Sequence, residues 1–114
     1  MISQHIHRAT HGDIVVLAFR GKLTMGGGDA ELRQNVAEAL EAGYRKIVLN
    51  LGETTTVDST GIGELVGAYT TTSNRGGKLK LAALTPKVLD ILTITQLITV
   101  FDVYETAEEA IGAF

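Results

Sequence analysis

Two hydrophobic rhythms alternate along this chain. Ile2 to His7 has period two, with Ile2, Gln4 and Ile6 on one face and Ser3, His5 and His7 on the other, and is predicted as a strand. Thr10-His11-Gly12-Asp13 has turn chemistry. The β-branched apolar run Ile14–Phe19 is predicted to return antiparallel to the first strand. A glycine-rich loop follows from Gly21 to Gly28. The rhythm then changes: Leu32, Val36 and Leu40 recur every fourth residue, which predicts a helix from Asp29, as its cap, to about Ala42, stopped by Gly43. Ile47–Leu51 is nearly all apolar, as in a strand covered on both faces. A second helix is predicted from Ser59 to about Asn74, with Ile62, Leu65, Val66, Tyr69 and Ser73 inward and Gly76-Gly77 as its end.

The last third continues the alternation. Leu79–Leu84 reads as a strand. Thr85-Pro86 reads as cap and first residue of a third helix carrying Val88, Leu89 and Leu92. A short strand is expected near Val100–Val103, and Thr106-Ala107-Glu108-Glu109 matches a capping box that opens a C-terminal helix. Strands alternating with helices pair in parallel through right-handed crossovers. The expected fold is therefore α/β: one domain over residues 1–114, with a mixed, mostly parallel sheet of about five strands, about four helices and an antiparallel N-terminal strand.

Composition narrows the function. At 114 residues and 45% hydrophobic the chain can bury one core without staples. It has no cysteine, so disulfides, thiolate metal sites and cysteine nucleophiles are excluded. No apolar run exceeds the six residues of Ile14–Phe19, and the N-terminus has no apolar signal region, so the expected address is the cytoplasm and no membrane partner is expected. A net charge of −3, with 5% aromatics and no Trp, gives no reason to expect nucleic acid.

The block Val57-Asp58-Ser59-Thr60-Gly61-Ile62-Gly63, between a strand and a helix, carries the most information. Asp58 or Ser59 can cap the helix, since its first N–H groups lack internal partners. A phosphate on Ser59 would sit at the positive end of the helix dipole, with Asp58 beside it. From Thr60 to Asn74 only Glu64 is charged, and Gly63, Gly67, Ala68, Thr71 and Thr72 suggest a smooth, charge-poor surface. Gly26-Gly27-Gly28-Asp29 could cradle a phosphate, but it matches neither the P-loop nor the dinucleotide pattern. His5, His7 and His11 lack the converging ligands of a zinc site, so no metal is expected. No acid–base pair or Ser-His-Asp set is placed by spacing, so no catalysis and no cofactor are expected.

The chain resembles the STAS-domain anti-sigma factor antagonists. The resemblance rests on Gly21-Lys22-Leu23, the strand Ile47–Leu51, the Val57–Gly63 block, Gly76-Gly77-Lys78-Leu79 and the Val100–Ala110 ending. It departs from the family at Thr24, where Asp is common, in the wide Gly26–Gly28 loop and in the polar run Glu53–Thr56. The resemblance implies a non-enzymatic bacterial regulator of transcription. Its unmodified form would bind an anti-sigma factor that is also a serine kinase, freeing a sigma factor. Phosphorylation of Ser59, or of Thr60 as the runner-up, would release the partner, and a serine phosphatase would reset it. The implied contact surface is Thr24, Met25, Gly26, Gly27, Gly28, Asp29, Asp58, Ser59, Thr60, Gly61 and Ile62. Two alternatives stay open: a scaffold or transport accessory subunit with Ser59 as a helix cap, and a small enzyme or nucleotide binder using Gly26–Gly28. The oligomeric state is open between monomer and weak dimer.

Overall fold

A computed structural model describes residues 4–114. Its strands are β1 (Ile6–His11), β2 (Ile14–Leu23), β3 (Lys46–Val57), β4 (Lys78–Ala82) and β5 (Asp102–Tyr104). Its helices are α1 (Asp29–Glu41), α2 (Ser59–Asn74), α3 (Pro86–Ile94) and α4 (Ala107–Gly112), with a 3-10 turn at Leu97–Thr99. The sheet runs β1-β2-β3-β4-β5, antiparallel between β1 and β2 and parallel elsewhere. This is the mixed α/β arrangement the alternating pattern predicts.

Successive strand side chains point to opposite faces. Val15, Leu17 and Phe19 of β2, with Ile47 and Leu49 of β3 and Leu79 and Leu81 of β4, face one side. There they pack with Leu32 and Val36 of α1, Leu65 of α2, and Val88 and Leu92 of α3. Ile14, Val16, Val48 and Ala82 face the other side, against Ala110 of α4. The six-residue α4 covers only part of that face, so His7, Arg20 and Glu53 remain exposed.

Several expected boundaries move. Ile2 and Ser3 lie outside the described residues; the first strand is Ile6–His11, and the turn shrinks to Gly12-Asp13. His5 and His7 therefore do not share a strand face. His5 precedes β1, stacks on Phe19 at 5.7 Å and meets Glu31 at 3.0 Å, while His7 is exposed opposite Ala18. Gly21-Lys22-Leu23, expected in a loop, completes β2. β3 runs to Val57 instead of Leu51, and the polar run Glu53–Thr56 belongs to it. Two register shifts against β2 put the inward residues Leu51, Thr54 and Val57 three apart, so the period-two signal vanishes where the strand continues.

β4 stops at Ala82 because Ala83 adopts a left-handed φ of 58°, and β5 begins only at Asp102. The deepest residues of α2 are Gly61, Leu65, Ala68 and Thr72, with Ile62, Val66 and Tyr69 flanking them; Ser73 is exposed. The supposed smooth surface thus loses Ala68 and Thr72 to the interior. Leu89 lies on the outer side of α3 and is 42% exposed. Thr85 and Thr106 cap α3 and α4 as expected, their hydroxyls accepting from the Val88 and Glu109 N–H groups. Gly28, not Asp29, is the cap residue of α1. Among the described residues no helix is long and apolar enough to cross a membrane.

Candidate functional site: the start of α2 and the loop beside it

β2 and β3 end together, since Leu23 and Val57 are their last register partners. The loop into α1 and the turn into α2 therefore leave the sheet side by side, at the carboxyl ends of parallel strands. Open α/β sheets bind their ligands at this end.

Asp58 joins the two segments. Its Oδ1 accepts from the Gly61 N–H at 2.8 Å, which caps α2. Its Oδ2 accepts from the Met25 N–H at 3.1 Å, which pins the neighbouring loop. These two amides, Gly61 first and Met25 second, hold the carboxyl below its ordinary pKa. The cap is thus Asp58, and Ser59 is the first helical residue. Ser59 is exposed, and its hydroxyl has no hydrogen-bond partner among the described residues.

Asp58 carries a pH prediction. A carboxyl whose folded pKa is depressed stabilises the fold above its unfolded pKa, and that contribution is lost as pH falls through the folded value. Asp58→Asn should therefore melt lower than wild type at neutral pH, with the gap narrowing below the ordinary carboxylate range. Melting curves across acidic pH check this; a gap that persists unchanged at low pH would refute the carboxylate's role.

The loop is more ordered than its glycines suggest. Gly27 N–H donates to the Thr24 carbonyl and Gly28 N–H to the Lys22 carbonyl, both at 2.9 Å. Those amides are spent within the loop, so a phosphate cradle there would lack them. Gly28 is buried under the Phe19 ring, where a Cβ would strike the ring. Gly61 is buried against the Leu23 carbonyl. Both glycines shape the surface from beneath. Exposed on it are Met25, at 74%, with Gly26, Asp58 and Ser59; Thr24, Gly27, Asp29 and Thr60 are half-buried. Ile62 is half-buried against the core, so it too is partly structural.

Sequence reasoning missed the Asp58–Met25 bond and the Gly61–Leu23 contact; both join segments over thirty residues apart, and no local spacing signals them. It also missed the ion pair of Arg33 with Glu64 at 3.2 Å, which ties α1 to α2 behind the site. Among the described residues no three His, Asp or Glu side chains are grouped to hold a metal.

The STAS domain profile matches residues 5–110. The chain belongs to the STAS-domain family. A protein of Thermotoga maritima named "Putative anti-sigma factor antagonist" is 30% identical over 98 residues, covering 86% of this chain and 87% of that relative. A crystal structure of a Thermotoga maritima protein so described superposes with a TM-score of 0.87 at 27% identity, over 95% of this chain and 92% of that one. The Bacillus protein SpoIIAA, solved in its phosphorylated form, shares the fold with a TM-score of 0.74 at 21% identity, over 95% of this chain and 97% of that one.

Proposed function

We propose that this STAS domain is an anti-sigma factor antagonist switched at Ser59. The unmodified chain binds an anti-sigma factor with serine kinase activity through the Thr24–Asp29 loop and the start of α2, in the cytoplasm. Phosphorylation of Ser59 by that kinase releases it, and a serine phosphatase restores binding. The domain itself catalyses nothing.

The observation that carries this reading is the free Ser59 hydroxyl. Asp58 performs the capping, so the fold does not need the serine oxygen. That weakens the alternative in which Ser59 is only a helix cap. A phosphate at the first helical position meets unpaired N–H groups and the positive end of the helix dipole. Thr60, one residue on, is half-buried and so less open to a kinase. The relatives support the reading, as they are described as anti-sigma factor antagonists and SpoIIAA exists in a phosphorylated form. Mass spectrometry of the chain from its native cells is the test. Phosphate on Ser59, absent from Ser59→Ala, supports the switch; a serine that is never modified under any growth condition rejects it.

A further inference from the structure

Cations in this acidic chain are unevenly placed. Four of its ten Lys and Arg residues, Arg45, Lys46, Lys78 and Lys80, line one cavity of about 270 Å³ beside Phe114. The cavity lies at the amino ends of β3 and β4, at the opposite end of β3 from Ser59. Lys46 and Lys78 are direct register partners on adjacent parallel strands, and Lys80 follows two residues along β4 on the same face. Like charges set side by side on neighbouring strands oppose sheet pairing.

Compensation is incomplete. Asp13 meets Lys46 at 2.9 Å and Asp102 meets Lys80 at 3.3 Å. Lys78 has no ion pair among the described residues, and Arg45 spends its guanidinium on the Leu40 and Tyr44 carbonyls. Four side-chain cations thus face two side-chain carboxylates. Lys80 is 5% exposed, held by the Tyr104 hydroxyl at 3.2 Å and lying 4.9 Å from the Phe114 ring centre. Burial pulls its pKa down, but the Tyr104 and Asp102 contacts outweigh this and hold it above the ordinary lysine value. It is therefore a charged floor to the cavity, held in place by Tyr104 and Asp102.

We infer that this cavity is a binding site for a small phosphate monoester, its phosphate lodged between Lys46 and Lys78 above Lys80 and its organic part against Phe114. A lysine ammonium binds phosphate as a point charge, and the aromatic ring offers an apolar wall to the rest. The volume lies just below the usual range for small-molecule sites, so it suits a phosphate with a small organic group better than a whole nucleotide. The site lies at the opposite end of β3 from Ser59.

Amide NMR titrations of the free chain, at constant ionic strength, test this with phenyl phosphate and inorganic phosphate. Saturable shifts should centre on Lys46, Lys78, Lys80 and Phe114, and phenyl phosphate should bind more tightly. Lys78→Gln should weaken phenyl phosphate at least tenfold, and its ligand-free melting temperature should hold or rise as an uncompensated cation is lost. Lys46→Gln should weaken it as well, and Phe114→Ala should erase the preference for phenyl phosphate. Shifts scattered over every surface lysine, wild-type affinity in both lysine variants, or a ligand-free Lys78→Gln that melts well below wild type would each overturn the site.

Discussion

Ser59→Asp should bind the cognate anti-sigma factor some 30-fold to several thousand-fold more weakly than Ser59→Ala, with a nearly normal melting curve. Within the domain, an acidic group at the first helical position is tolerated, because the dipole stabilises it by about 0.3–1 kcal/mol. At the interface the balance reverses. Asp58 is held ionised by the Gly61 and Met25 amides, so the new charge lands beside an existing one. Burying an unmatched charge at an interface costs about 2–5 kcal/mol. At about 1.4 kcal/mol per tenfold, that gives the stated range. Aspartate carries less charge than phosphoserine, at about −1.5 to −2, so it should fall toward the lower end of the range. Calorimetric titration of both variants against the anti-sigma factor measures the ratio. Equal affinities with intact folds would sink the switch.

Legibility follows the range of the interaction that decides each feature. The caps of α3 and α4 were readable because Thr85 and Thr106 act on amides three residues away. The Val57–Gly63 block was readable as a strand-to-helix turn for the same reason, though whether Asp58 or Ser59 capped the helix was not. That choice depends on geometry, and the second oxygen of Asp58 is fixed by Met25, which is distant in sequence. The end of β3 was hidden for another reason. Its last residues pair with an irregular stretch of β2, so burial follows a spacing of three that matches no strand template. The polarity of Glu53, Thr55 and Thr56 reflects their exposure.

The same limit applied to the proposed contact surface. Glycines in the Gly26–Gly28 loop read as freedom, yet Gly27 and Gly28 are bonded to Thr24 and Lys22, and Gly28 lies under Phe19. The resemblance points to two segments far apart in sequence, and the structure brings them side by side because Leu23 pairs with Val57. Which residues on them are exposed came only from packing. Met25 and Ser59 stand out in solvent, whereas Gly61 and Gly28 are spacers.

Two glycine-to-alanine substitutions on α2 should act in opposite directions. Gly61→Ala should destabilise the domain by about 1–3 kcal/mol or more, while Gly67→Ala should stabilise it by about 0.5–1 kcal/mol, the usual helix-interior gain. Gly61 is the third residue of α2 and sits where the helix crosses the end of β2. A Cβ there would overlap the Leu23 carbonyl oxygen and lie 2.9 Å from its carbonyl carbon and 3.0 Å from Val57 Cγ1. The obstacle is main chain at the paired end of β2, so no rotamer change relieves it. Either α2 lifts or the end of β2 shifts, and overpacking of this kind costs about 1–3 kcal/mol or more. Lifting α2 would also stretch the Asp58 bridge, since Gly61 N–H is one of its two donors. At Gly67 a Cβ meets nothing within 4 Å, so only the helix gain remains. For a domain of this size each kcal/mol moves the melting temperature by roughly 4 °C or more. Gly61→Ala should therefore melt roughly 4–12 °C or more below wild type and Gly67→Ala a few degrees above it. If the two variants melt together, the close approach of α2 to Leu23 does not set the geometry of the site.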